Sequence, residues 1–155
     1  MSYSYKISKP LNTNAMKNLK SIMLGLALLL VVGAAGAAAT PAPSKNYVIN
    51  TYIDAVTRGK LAGINDVLDA NAKFNMLRGK EIMSFGKKEM LDYLKSNKNV
   101  EMECTTSTSI VESNADITLV KVDMKYNNSL TSNYVTLVNT GNGGWKITNV
   151  YSVVK

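Results

Sequence analysis

The chain has 155 residues, of which 46% are hydrophobic, which is room for one domain and too apolar for a disordered one. Its formal charge of +7 is concentrated at the start: Lys6, Lys9, Lys17 and Lys20 precede Ala39 and no acidic residue does, so the remainder carries only about +3 and calls for no nucleic-acid partner. One cysteine, Cys104, and no histidine exclude an internal disulfide, a cysteine-rich zinc site, an imidazole metal ligand, a Ser-His-Asp triad and a Cys-His pair. No metal or other cofactor is therefore expected.

Residues 1–39 read as a secretory signal. Met16-Lys17-Asn18-Leu19-Lys20 is a short basic stretch, Ile22 to Val32 is apolar, and Gly33 to Ala39 supplies the small-x-small pattern of a cleavage site. Residues 1–15 are polar and do not fit such a segment, which points to Met16 as the true start. The alternative is a retained anchor, since Ser21 to Ala39 approaches the ~20 residues that span a bilayer; the Ala and Gly of its second half argue against it. The product is expected to be secreted or periplasmic, free of the membrane after cleavage, with a mature N-terminus between Ala38 and Thr40. Residues 40–45 read as a stiff Pro-containing linker and residues 46–155 as the domain.

Ile49, Tyr52, Ile53 and Val56 recur at helical spacing and predict a helix over Lys45–Arg58, stopped by Gly59. Leu61, Ile64, Val67 and Leu68 predict a second over Leu61–Ala70. A hairpin follows, with strands Lys73–Arg78 and Glu81–Phe85 about Gly79, and then a third helix over Lys87–Lys95 with Met90, Leu91 and Leu94 inward. From there the pattern is β: Val100–Glu112, Asp116–Tyr126, Leu130–Asn139 and Gly144–Val154, separated by turn chemistry at Ser113-Asn114, Asn127-Asn128-Ser129 and Gly141-Asn142-Gly143. Short loops imply an antiparallel meander. Val120, Val122, Met124 and Tyr126 alternate with Lys121, Asp123 and Lys125, giving one dry and one wet face. On the last strand Trp145, Ile147, Tyr151 and Val153 are expected to share a face, with Trp145 largely buried. Helices followed by a meander predict an α+β fold.

Three passages resemble the NTF2-like superfamily: the opening helix Tyr47-Val48-Ile49-Asn50-Thr51-Tyr52-Ile53-Asp54-Ala55, the run Gly59 to Leu68 leading into Ala72-Lys73-Phe74, and Phe85-Gly86-Lys87 opening the third helix. The closing Gly144-Trp145-Lys146-Ile147 strand adds a fourth. The resemblance covers Lys45 to Lys155 and is strongest to small exported lumazine-binding-like and SnoaL-like bacterial proteins. It implies a cone: three N-terminal helices packed on a curved antiparallel sheet. It also implies either binding of a small apolar ligand or protein partner, or an isomerase or dehydratase, or a scaffold that dimerises through the sheet. Enzymatic members use a His-Asp pair, or an Asp base with Tyr and Asp donors, inside the cone. A histidine often sits near the end of the last strand, where this chain has Tyr151, and the second type needs a carboxylate facing the cavity, whereas Asp123 falls on a wet face by alternation. The leading expectation is an exported, non-catalytic binding domain; the alternatives are a histidine-free enzyme and a dimeric scaffold without ligand.

Tyr52, Tyr126, Tyr134, Asn149 and Tyr151 are the candidate ligand-lining residues, because apolar walls with a few hydroxyls suit a small ligand; the competing reading makes them core or rim residues. Asp54, Asp66, Asp69 and Asp123 are the carboxylates that acid–base work would need, Asp54 foremost, but helix ends and a wet strand face are poor places to raise a pKa. Lys87, Lys88, Lys95 and Lys98 read as a solvated face. Cys104, beside Met102, reads as a small strand residue packed as a hydrophobe. Asn127-Asn128-Ser129 matches a glycosylation sequon as well as a hairpin turn. Thr105, Ser107, Ser109 and Thr118 offer an uncharged outer face for a homodimer.

Overall fold

The computed structural model describes residues 41–155. The expected signal segment, its alternative start at Met16 and its cleavage region lie outside the described residues.

Helix α1 occupies Lys45–Arg58, as its apolar stripe predicts. The Ser44 hydroxyl caps it by accepting the Tyr47 N–H, and Gly59 ends it in the left-handed conformation. Its burial extends beyond the stripe: Val48, Thr51, Ala55 and Thr57 are buried along with Ile49, Tyr52 and Ile53, because the helix lies in the concavity of the sheet. The expected linker is tied in at Pro43, whose carbonyl accepts the Trp145 N–H at 2.9 Å.

The second helix, α2, is a single turn, Ile64–Val67, and strand β1 starts at Leu68 and runs to Arg78. Leu61 and Leu68 do fall at helical spacing with Ile64 and Val67. Beyond Val67, however, Leu68, Ala72 and Phe74 bury one side of a strand, and sheet pairing wins over a longer helix. Strand β2 spans Glu81–Gly86 and α3 spans Lys87–Ser96, so one of the three helices follows the first hairpin instead of preceding the sheet.

Strands β3 (Thr105–Ser113), β4 (Ile117–Lys125), β5 (Leu130–Asn139) and β6 (Trp145–Val154) form the antiparallel meander. The six strands lie in the order β2-β1-β6-β5-β4-β3. The sheet is mixed rather than purely antiparallel, since β6 returns beside β1 and runs parallel to it. The whole is a mixed α+β fold on a curved sheet, with register shifts in the β1–β6, β3–β4 and β5–β6 pairs that bend it.

The bulge between β5 and β6 corrects the face assignment on the last strand. Thr136 pairs with Asn149 but Leu137 pairs with Ile147, so Thr148 is the extra residue and alternation restarts after it. Ile147 and Val150 are buried, and Tyr151 is exposed with Asn149 and Val153 on its side of the strand. Trp145 is half-buried, packed against the edge of the core with the Lys45 ammonium 4.2 Å from its ring centroid. Thr118 also changes side: it is buried on the dry face, sharing a hydrogen bond with Ser113. Among the described residues no helix is long and apolar enough to cross a membrane.

Candidate functional site

The β1–β2 register pairs Phe74 with Phe85 and Met76 with Met83, which puts four apolar side chains on one face of the hairpin. Helix α3 is fixed over that face at its start. The Glu89 carboxylate accepts the Gly86 N–H at 2.6 Å, and the Lys87 ammonium donates to the Asn65 and Leu68 carbonyls at 2.8 and 2.9 Å. Leu94 anchors the helix to the core, and Met90 and Tyr93 hang over the hairpin.

Between them lies a cavity of about 420 Å³, lined by Tyr52 of α1, Phe74, Asn75 and Met76 of β1, Met83 and Phe85 of β2, Glu89, Met90 and Tyr93 of α3, and Ser152 of β6. The volume falls within the range of small-molecule sites. Three thioethers give its wall an adaptable, polarisable character. It opens to solvent past the exposed Met83 and Tyr93.

Its polar groups are few. Tyr52 is 3% exposed, and burial, with Tyr126 as a lesser influence, pushes its hydroxyl well above the usual phenol range, so it keeps its proton. The Ser152 hydroxyl donates to Asn133 Oδ1. Asn133, 2% exposed, pairs in register with buried Val122 on one side and Ser152 on the other, which places it on the inner face behind the cavity. Its Nδ2 has no hydrogen-bond partner among the described residues, an uncommon condition for a buried donor.

Of the five candidates from sequence, Tyr52 lines this cavity. Tyr126 is close by: burial, then Cys104, then Tyr93 raise its hydroxyl pKa, and Tyr93 is a cavity residue. Tyr134, Asn149 and Tyr151 are not brought to it. Tyr134 pairs in register with Lys121 and Tyr151 on the outer face, and Asn149 Oδ1 accepts from Asn75 Nδ2 at 3.0 Å.

The carboxylates are engaged elsewhere. Asp54 is 36% exposed and bound to Arg58, with Lys60 at 3.9 Å. Asp123 is held below the usual carboxylate range by Lys121 first and Ser132 second, at 2.7 and 2.6 Å, on the outer face. Asp69 Oδ1 accepts the Asn71 N–H, and Asp66 is exposed. Glu89 is the carboxylate at the cavity, and the sequence reading passed over it. Its place three residues after the residue preceding a helix marks it as a cap. Asn133 carried a second overlooked signal, an amide side chain in the middle of a strand, where it is disfavoured.

The chain matches, over residues 45–152, a family described as "Putative lumazine-binding". No curated protein matches it. Among solved structures it is similar to an NTF-2 like protein of unknown function from Silicibacter pomeroyi, at 16% identity and a TM-score of 0.60 over 71% of this chain and 92% of that one. It is also similar to an NTF2-like protein of unknown function from Shewanella baltica (10% identity, TM-score 0.55, 70% and 88% covered). A ketosteroid isomerase-like protein from Erwinia carotovora atroseptica is a further match (13% identity, TM-score 0.54, 70% and 92% covered). At these identities the likeness is one of fold.

Proposed function

This chain belongs to the lumazine-binding-like family of the NTF2-like superfamily, and from that premise we propose that it is an exported, non-catalytic domain that holds a small, neutral, largely apolar molecule in the cavity under α3. The observation that carries this reading is the lining. Phe74, Phe85, Met76, Met83, Met90 and Tyr93 supply wide apolar contact, and Tyr52 and Ser152 supply two hydroxyls. Tyr52 retains its proton as a donor. Ser152 directs its own proton to Asn133, which leaves its lone pairs as acceptors. Such a site suits a flat ligand with a small polar edge and disfavours an anion, which would meet the Glu89 carboxylate and no cationic side chain in the lining.

The alternative, a histidine-free isomerase or dehydratase, needs a carboxylate poised in the cavity. Asp54 and Asp123 have their charges met outside it, and the one acid at the cavity, Glu89, has an oxygen committed to the helix cap. Those placements favour binding over turnover.

Titration with Nile red, a neutral fluorescent probe, tests the reading. Saturable binding of one probe per chain is expected. Met76→Trp, which fills the cavity, should weaken it by about tenfold or more, as loss of even about 1.4 kcal/mol of contact does. Glu89→Gln should leave it within a factor of about two, a few tenths of a kcal/mol. Absence of saturable binding, or binding indifferent to Met76→Trp, would contradict the proposal.

A further inference from the structure

One row of inward side chains crosses the whole sheet. The ladders pair Met83 with Met76, Met76 with Ser152, Ser152 with Asn133, Asn133 with Val122 and Val122 with Thr108. Met83, Met76 and Ser152 line the cavity under α3, and Asn133 is the next residue of the row, directly behind that wall.

An amide has poor company there. Val122, its partner on β4, is fully buried. The next inward residue along β5 is Val135, which pairs with Val120 and Val150, and all three are buried. On the other side Thr131 pairs with Met124 and Val154 and gives Nδ2 no partner. The hydrogen bond of this amide is the one from Ser152, and it engages Oδ1, so the donor end stays buried and unpartnered among the described residues. A buried donor without an acceptor costs more than a typical hydrogen bond contributes, so the arrangement calls for a reason.

We propose that Asn133 is a positioning residue for the ligand: it lets Ser152 reverse its hydrogen bond, so that the cavity under α3 takes a neutral molecule bearing a carbonyl group. Rotation of the amide by half a turn about Cβ–Cγ exchanges Oδ1 and Nδ2 with little change of shape. Nδ2 then donates to Ser152 Oγ, and the unpartnered donor is satisfied. The serine proton, no longer taken by Oδ1, turns into the cavity. Oδ1 is left without a partner, a state that carbonyl oxygens tolerate better than N–H groups do. The oxygen of an incoming carbonyl accepts the serine proton and completes a chain from amide to hydroxyl to carbonyl, whose members strengthen one another. A hydrocarbon offers no acceptor and leaves Ser152 bonded to Oδ1. Ser152 is the residue that touches the ligand; Asn133 acts through it. The inference rests on the cavity being the ligand site and adds the polar group that the ligand carries.

Two compounds of one shape separate this inference from the cavity reading. They are 2-acetylnaphthalene, a ketone, and 2-isopropenylnaphthalene, in which a methylene replaces the carbonyl oxygen. Each is titrated into the nitrogen-15-labelled full chain, and displacement of Nile red gives its affinity. The ketone should move one side-chain N–H signal of Asn133, identified by its Overhauser contact with Ser152, farther downfield than the hydrocarbon does, and should slow its exchange with solvent. Ser152→Ala should cost the ketone about three- to tenfold more affinity than it costs the hydrocarbon, the worth of one hydrogen bond. In that variant the Asn133 signal should no longer tell the two compounds apart, with circular dichroism reporting that the fold is kept. An Asn133 amide that answers both compounds alike in the unaltered chain, or a ketone response that survives Ser152→Ala, would overturn the inference and leave the cavity as the ligand site. Failure of both compounds to displace Nile red would contradict the cavity reading itself, and this inference with it.

Discussion

Gly59→Ala is expected to destabilise the domain by at least about 3 kcal/mol, a large part of the 5–15 kcal/mol typical of a folded domain. Gly59 closes α1 with φ of +60°, a conformation that costs a residue with a Cβ about 1–2 kcal/mol. Space is the larger obstacle. A Cβ there would lie 2.4 Å from the Asn97 carbonyl oxygen, 2.5 Å from the Asn99 nitrogen and 2.9 Å from the Val100 nitrogen. All three are backbone atoms, and the Asn99 N–H donates to the Gly59 carbonyl, so the loop cannot retreat without breaking the bond that docks it. Gly79 is the control: its φ is +64°, but a Cβ would meet nothing within 4 Å. Urea melts of Gly59→Ala and Gly79→Ala separate the two effects. Equal losses would show that the close approach does not matter.

Ile147→Ala should cost about 2–5 kcal/mol, and Trp145→Ala less, about 1–3 kcal/mol, although it removes a larger side chain. Ile147 is fully buried, paired with buried Leu137 across the β5–β6 bulge. The packed surroundings cannot collapse into the space it leaves. Trp145 sits at the rim, half-buried, under the Lys45 ammonium, which donates to Ser113 Oγ and the Asn114 carbonyl, and water can fill its place. Denaturant midpoints in the opposite order would mean that Trp145 and not Ile147 is the better packed of the two against the core.

The elements whose sequence signals agree with one another were legible. Helix α1 has a full apolar stripe, a serine cap and a glycine stop, and its bounds follow from them. Strand β5 lies between an Asn-Asn-Ser turn and the Gly141–Gly143 turn, and its span is that expected from sequence. Where signals conflicted, tertiary structure decided. The Leu61-Ile64-Val67-Leu68 spacing is helical, but strand pairing claims Leu68 onward. Trp145, Ile147, Tyr151 and Val153 alternate cleanly in sequence, and one inserted residue, Thr148, turns Tyr151 and Val153 to the opposite face. No local signal marks that bulge. This is also why Tyr151 and Asn149, plausible cone residues by alternation, stand outside. The cavity was hidden for a different reason: Met76, Met83 and Met90 have core-like spacing, and only the placement of α3 over the hairpin leaves space among them. The parallel pairing of β6 with β1 likewise depends on a crossover that short-range pattern does not encode.

The cavity under α3 as the ligand site is tested most directly by methyl NMR of the chain labelled with carbon-13 in its methionine methyls, during titration with Nile red. The methyls of Met76, Met83 and Met90 should shift together and saturate at one equivalent, while those of Met102 and Met124 remain in place. Shifts confined to Met102 and Met124, or no shift at any of the three cavity methionines at saturation, would contradict the account.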